Sequence, residues 1–470
     1  MAANYLHGVE TIEIDQGARP VQVVKSSVIA LVGLAPIGTK NEPILVLSPN
    51  DAAQFGQQLP GFTIPQALDA IFKQGPATVI VVNTFDSVTN TEQITLESHT
   101  IVGGKLKLSA APIGAVTVFL TDGTTPFTGV EGTDYSIDAF GNFTALSAVA
   151  AEDLVLKFTF KILDSGTVTS AQIIGTNTSG VRTGSKCLEL VFNTFGFTPK
   201  ILIAPVYIEL VAVATEWIAL AEKYRAIALI DAPVTTTVSQ AIAGRGPAST
   251  INFKTSSYRA YLLCPHLKVY DADSDSNINA PYSQFMAGVM ANVDLNEGYW
   301  VSPSNHAIQG IVGTEYVVTA SVNDASTEAN LLNEKGITTT FTGYGTGTRT
   351  WGNRSAAFPT NTDPKNFIPI RRIADIVHES LEQAMLPFID KPINQATIDA
   401  IRDTGNGFFR TLIGRGAVLS GSKCTYSADN TAEELALGHV VFDLTFMGPA
   451  PAERITFKSY LDINLLTQIV

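Results

Sequence analysis

The sequence predicts an α/β core, made of strand–helix–strand units on a mixed sheet, with an inserted all-β domain and extended N- and C-terminal β arms. Three observations carry this reading. Two short apolar runs, VIALVGLA at 28–35 and ATVIVVN at 77–83, flank a helical pattern. From about residue 88 to 180 the chain turns to period-two alternation rich in Thr, Val and Gly. Near residue 183 the first pattern returns.

Residues 1–20 read as a linking arm: Ile12 and Ile14 alternate with Thr11, Glu13 and Asp15, and Gly17 and Pro20 then loosen the chain. Residues 21–88 form the first part of the core. There Pro65 opens a helix with Ile64, Leu68, Ile71 and Phe72 on one face, between two buried strands. Strand, helix and strand joined by short loops argue for α/β. Residues 89–182 read as an inserted all-β outer domain. In LVLKFTFKI, Leu154, Leu156, Phe158, Phe160 and Ile162 point one way and Lys157, Thr159 and Lys161 the other. Asp122-Gly123 and Gly141-Asn142 supply turns.

Residues 183–453 form the second part of the core. Strands are expected at 197–205, 226–233 and 258–271, and helices at 185–195, 214–225 and 281–291. From 371 to 386, Ile373, Ile376, Val377, Leu381, Ala384 and Met385 share one face of an amphipathic helix. A second helix is expected at 396–413, weakened and kinked by Gly405 and Gly407. HVVFDLTFMG at 439–448 alternates. Residues 454–470 close the chain as a C-terminal arm, with Ile455, Phe457, Leu461, Ile463 and Leu465 on one face.

The 470 residues suit two or three domains, and 45 % are apolar, enough for a sizeable core. Only 16 % are charged, against roughly 25 % in an average domain. A neutral-polar surface suits a protein that buries much of its outside against copies of itself. The net charge of −13 argues against nucleic acid and anionic membranes as partners. Cys187, Cys264 and Cys424 are scattered, form no CxxC and read as structural thiols of a reducing compartment. The N-terminus has no basic and apolar leader pattern. The apolar window 201–221 carries Pro205, Glu209 and Glu216 and reads as strand plus helix rather than a membrane span.

The chemical motifs fail when their mechanics are tested. In TGYGTGTRTWGNRS at 342–355, the glycines lead into Arg349, Thr350 and Trp351 without helical period. A phosphate cradle needs a helix N-terminus there, so the loop reads as a turn between strands. GAVLSGSK at 416–423 misses a P-loop because its lysine, Lys423, is displaced by one. DADSDSN at 271–277 begins like a calcium loop, but Ser276 and Tyr282 stand where Gly and Glu are required. His7, His99, His266, His306, His378 and His439 show no metal spacing and read as surface or capped residues. No cofactor, metal or catalytic residue is assigned. Arg371-Arg372 opens the first amphipathic helix as a pair of surface cations suited to an acidic partner, against a small helix-dipole penalty.

Several stretches, in order, resemble the sheath proteins of contractile phage tails. They are TPKILIAP at 198–205, LLNEKGI at 331–337, GYGTGTRTWGNRS at 343–355, FIPIRRIADIVHESLEQA at 367–384 and GPAPAERI at 448–455. GTDYSID at 132–138 is similar to a pattern met in sheath insertions. Asn353 and Ser355 depart from the usual Ala and Thr. The resemblance implies a structural subunit of the virion tail, assembled in the bacterial host cytoplasm, that polymerises as stacked six-fold rings. It implies partners in the chain itself, the tail tube protein, and baseplate and tail terminator proteins, with neither nucleic acid nor direct membrane insertion. On a baseplate signal the sheath would contract and drive the tube through the host envelope without consuming nucleotide. In a sheath the 342–355 loop becomes a tight turn with Trp351 as a core anchor, Arg349, Arg354, Arg371 and Arg372 are candidate contacts to tube or neighbouring subunits, and the arm residues are candidates for adding a strand to a neighbour's sheet. Three alternatives stay open: the sheath of a headless injection particle such as a tailocin, an α/β enzyme, and a module binding glycan or receptor through the inserted domain.

Overall fold

The computed structural model describes residues 21–271, 275–343 and 345–465. Eight strands make the central sheet: β1 Val28–Gly33, β2 Pro43–Val46, β3 Thr78–Asn83, β4 Ile201–Ile203, β5 Ile227–Asp231, β6 Ala260–Leu263, β7 Ile337–Gly343 and β8 Gly347–Trp351. Their order is β8-β7-β6-β5-β4-β1-β3-β2. The six inner strands are parallel, and β2 and β8 close the edges antiparallel.

The all-apolar runs follow from burial on both faces. Val28, Ala30, Val32, Ile80, Val82, Leu202, Ala228 and Leu262 point into one core with Trp217 and Leu220. Ile29, Leu31, Val79, Val81, Ile201, Leu229 and Leu263 point into the other. Helix α1 (Thr63–Gln74) covers the second face with Ile64, Leu68 and Ile71, helped by α3 (Tyr282–Asn296). Helix α2 (Val211–Tyr224) covers the first. Gly288 lets α3 approach α1, because a Cβ there would lie 2.7 Å from the Ile71 carbonyl oxygen.

The stretch expected as one strand at 258–271 is two, β6 and Leu267–Asp271. Pro265 lies between them and offers no N–H to a ladder. Leu267–Asp271 pairs antiparallel with Ser276–Ala280, and the Tyr270 hydroxyl donates to Asp275 at 2.6 Å.

Between Thr91 and Leu163 the chain builds two three-stranded sheets around a separate core of Ile101, Leu108, Val118, Tyr135, Phe143, Leu156, Phe158 and Phe160. The segment leaves and returns at one point: Thr91 pairs with Leu163, and the Asp164 N–H donates to the Asn90 carbonyl at 3.0 Å. Val168 and Ile173, a few residues on, already pack in the main core.

A further layer is formed by α4 (Ile368–Met385) and α5 (Gln395–Gly414), which bury Ile373, Ile376, Val377 and Leu381 against Phe408, Phe409 and Leu412. The α5 hydrogen-bonded helix continues through Gly405 and Gly407 without a break. Gly405 serves close approach, since a Cβ there would lie 2.9 Å from the Cβ of Cys424. Cys424 belongs to a two-stranded sheet, Lys423–Tyr426 with Phe442–Thr445. Lys423 therefore opens a strand, not the helix that a P-loop requires.

The face of α4 turned to the central sheet is ionic. Asp375, Glu379 and Glu382 recur at helical spacing and meet cations at the amino ends of three parallel strands. Arg259 before β6 pairs with Asp375, Lys200 before β4 with Glu379, and Arg225 before β5 with both oxygens of Glu382 at 2.7 Å. Among the described residues no helix is long and apolar enough to cross a membrane.

Candidate functional site: arm roots and an open strand edge

The Gly-rich stretch is the hairpin turn between β7 and β8. Gly343 pairs with Gly347, and the Thr346 N–H donates to the Gly343 carbonyl at 3.2 Å. Gly345 and Gly347 have φ of +74° and +68°, values glycine adopts without a Cβ penalty. Trp351 does not anchor a core. It is half-buried and packs on Phe341 with ring centroids 4.8 Å apart, because a strand at the sheet's edge has a solvent side.

The four arginines singled out in the sequence are engaged within the chain. Arg349 donates to the Asn305 carbonyl at 2.9 Å. Arg371 pairs with Asp375 one turn on, at 2.7 Å. Arg372 is not a surface cation: its side chain is 4 % exposed and grips Asp294, 1 % exposed, with two nitrogens. The reason is local, because the amino end of α4 sits under α3, where Asp294 would otherwise be buried unpaired. Arg372 also donates to the Ser26 carbonyl at 3.0 Å, and the Val24 N–H donates to Ser380 Oγ at 3.2 Å. These bonds hold the root of the N-terminal arm on α4. Ile12 and Ile14, further out on that arm, lie outside the described residues.

Arg354 holds the other root. Its Nε and Nη2 donate to the two oxygens of Glu453, and its Nη1 donates to Asn366 Oδ1 at 2.8 Å. Beyond Glu453 the chain runs out uncovered and enters no strand ladder as far as residue 465. Phe457 is 90 % and Leu461 99 % exposed, with Ile455, Ile463 and Leu465 also exposed. Five large apolar side chains are thus exposed within eleven residues, and contiguous exposure of this kind marks interaction surfaces in general.

The small sheet beside α5 has one blocked edge and one open edge. Asn406 of α5 accepts from the Cys424 N–H and donates to the Cys424 carbonyl, both at 2.9 Å. The backbone of Cys424 therefore faces away from its partner strand. Cys424 is opposite Leu444 in register, so this pair is of the non-hydrogen-bonded kind, and Leu444, like Phe442, turns its N–H and C=O outward. The open edge is Phe442–Thr445. A two-stranded sheet is marginal in water, and an added strand would stabilise it.

The position where open α/β sheets hold ligands, beyond the carboxyl ends of parallel strands, contains Glu209 after β4, Asp231 ending β5 and His266 after β6. His266 is 3 % and Asp231 1 % exposed, so of the two places expected for the histidine, surface or capped, it takes the second, buried against a carboxylate partner. His266 Nε2 lies 3.1 Å from Glu209 Oε1, and Asp231 accepts from the N–H and hydroxyl of Ser283. Burial pushes Asp231 up to about 6. Burial alone would lower His266, but Glu209 and Asp231 outweigh it and its pKa is raised. The arrangement is a closed, satisfied ion cluster suited to joining strand ends. Two shallow surface hollows, one along α2 and Ile251 and one along Pro49, Phe72 and Lys73, contain none of its titratable groups. Among the described residues no three His, Cys, Asp or Glu side chains are placed to hold a metal.

Residues 180–356 match the phage tail sheath protein central domain, and residues 360–462 match the phage tail sheath C-terminal domain. The tail sheath protein of Burkholderia phage BcepMu is 46 % identical over 470 residues, covering 99 % of this chain and 98 % of that one. The chain belongs to the phage tail sheath family. It is a structural protein, a tail sheath protein of that family. The tail sheath protein of Escherichia phage P2 is 25 % identical, covering 100 % of this chain and 98 % of that one. In fold, this sheath protein is similar to the sheath of the extracellular contractile injection system PVC in its contracted state, with a TM-score of 0.61 at 18 % identity. That likeness covers 99 % of this chain and 100 % of the other. The contracted helical sheath of the anti-feeding prophage gives the same TM-score, 0.61, at 16 % identity, covering 98 % and 100 %. The boundary between the two matched sheath domains falls just before α4, at the ionic seam beneath the central sheet.

Sequence reading missed Asn406, Asp294 and the Glu209–Asp231–His266 cluster. The one available signal was Asp231 itself, an acid ending the otherwise apolar run AIALID.

Proposed function

We propose that this chain is the repeating subunit of a contractile tail sheath, stacked in six-fold rings around a tail tube and linked to its neighbours by its terminal arms. The observation that carries the reading is the pairing of two unmet needs in one molecule. The C-terminal arm is an uncovered alternating strand sequence, and the Phe442–Thr445 edge is a strand whose outward backbone is open. The arm of one copy seated on that edge of the next satisfies both. Roughly four to six backbone hydrogen bonds at about 1 kcal/mol each give a few kcal/mol per link. An arm so placed presents its own far edge, on which the N-terminal arm of a third copy can add.

Such links persist while the packed cores rotate and repack. About 1 kcal/mol of extra contact per subunit, summed over many coupled subunits, makes contraction irreversible in practice. On a signal from the baseplate the contracting sheath drives the tube through the host envelope during genome ejection. The partners are the chain itself, the tube protein, and baseplate and terminator proteins. Likeness to an anti-feeding prophage baseplate structure, TM-score 0.58, supports an attachment of this kind. The 91–163 sheets, joined to the core at one point, face outward from the tube. Assembly takes place in the host cytoplasm.

A second reading, the sheath of a headless injection particle, is favoured by the likeness to the PVC and anti-feeding prophage sheaths. A capsid gene beside that of the sheath separates the two. Negative-stain microscopy of the purified chain tests the common claim: hollow ribbed tubes are expected, and dispersed globules under every salt and concentration tried would contradict it.

A further inference from the structure

We propose that Arg354 is a positioning residue that fixes the direction in which the C-terminal arm leaves the core, through its two-pronged grip on Glu453. The inference rests on the arm-linked assembly proposed above.

The socket is built by residues that lie outside the arm. Arg354 follows β8 and forms a single bridge with Phe367, at the start of α4. Its guanidinium carbon lies 4.3 Å from the ring centre of Phe358 and 4.0 Å from that of Phe367, so the planar group is held between or against two aromatic faces. Asn366 binds Nη1, which leaves Nε and Nη2 as a fork aimed at the arm. The fork meets the Glu453 carboxylate with both nitrogens, at 2.9 and 2.5 Å. Two segments far apart in the chain, TRTWGNRS and GPAPAERI, are brought together by this pair.

Glu453 is also the last side chain of the arm that an ion pair ties to its own core among the described residues. Upstream, the Leu419 N–H holds the Met447 carbonyl and Gly448 packs on Ile373. Downstream lie the exposed residues that bind a neighbour. Glu453 is 43 % exposed, and a half-exposed pair adds little to the stability of the fold. Its effect falls on the arm: a fixed root restricts the directions the arm samples and lowers the ordering cost of seating it on another copy.

The test uses the full-length chain with Glu453→Ala, Glu453→Arg, Arg354→Glu and the double exchange Arg354→Glu/Glu453→Arg. Thermal unfolding of the unassembled subunit and the critical concentration for pelletable polymer are measured for each. Glu453→Ala is expected to leave the melting temperature unchanged and to raise the critical concentration roughly three- to tenfold. Each single exchange is expected to do worse, and the double exchange to recover most of the loss. Should Arg354→Glu fail to fold, the Glu453 variants carry the test alone. A Glu453→Ala chain that polymerises at the wild-type concentration overturns the inference, as does a double exchange no better than the worse single. A chain truncated after residue 455 separates this from the underlying reading: if that chain polymerises normally, arm linkage itself has failed. If it does not polymerise while Glu453→Ala does, only the clamp has failed.

Discussion

Arg372 and Asp294 join the amino end of α4 to the carboxyl end of α3 through a two-pronged ion pair that is almost wholly out of water, at 4 % and 1 % exposure. The same guanidinium reaches the Ser26 carbonyl at 3.0 Å, so one side chain ties together two helices and the root of the N-terminal arm. Replacing Arg372 by Ala strands the Asp294 carboxylate in the interior. A loss of about 3–5 kcal/mol is expected from urea denaturation. The double change Arg372→Met/Asp294→Leu, which removes the charge as well, is expected to recover most of it. A loss under about 1 kcal/mol in the single variant would mean that water reaches Asp294.

The cluster at the carboxyl ends of β4, β5 and β6 sets a pH dependence of known sign. His266 faces Glu209, Asp231 and Glu315, with Ser283 on Asp231. Asp231 and His266 both have folded pKa values above their ordinary ones, so the folded state holds more protons than the unfolded chain. Their stabilisation is fully present below the ordinary values and is lost as pH rises through the folded ones. For Asp231 the rise from 3.8 to about 6 corresponds to roughly 3 kcal/mol, lost between about pH 4 and pH 6. Asp86 and Glu189, held down at about 2 by Lys40 and Lys223, act in the opposite sense, so the comparison must be with a variant. Melting curves of Asp231→Asn minus wild type are expected to climb between pH 4 and 6. A flat difference would show that the carboxyl ionises as freely in the fold as outside it.

The two backbone directions along Phe442–Thr445 make a paired prediction. The Leu444 N–H faces the open edge, so Leu444→Pro removes only the donor offered to an incoming arm, and edge strands tolerate proline. The Asp443 N–H faces Thr425, so Asp443→Pro breaks the hairpin itself. Leu444→Pro is expected to give a folded subunit that forms tubes at least tenfold less readily, whereas Asp443→Pro lowers the melting temperature of the subunit. Normal tubes from Leu444→Pro would place the acceptor elsewhere.

Much of the core was legible because burial on both faces of a parallel sheet leaves a local mark. VIALVG, TVIVVN and IALID are continuous apolar runs, and α4 carries Ile373, Ile376, Val377 and Leu381 at helical spacing. The site was legible only in part. The bare apolar face of 455–465 could be read because alternation is local. The partners of the arginines could not: Arg354 and Glu453 are 99 residues apart, and Arg372 and Asp294 are 78. A cation at a helix start looks exposed unless the acid beneath it is known. Gly405 shows the same limit. Its cost to the helix can be read locally, but its benefit, room for Cys424, depends on a strand that returns later in the chain.

The central claim, that the terminal arms link otherwise complete subunits, is tested most directly by truncation. Chains lacking residues 1–16 or 456–470 are compared with the full chain by thermal melting, size-exclusion chromatography and negative-stain microscopy. The account predicts that each truncated chain melts as the full one does, elutes as a compact subunit and forms no tubes. Ribbed tubes of normal appearance from either truncated chain would contradict it.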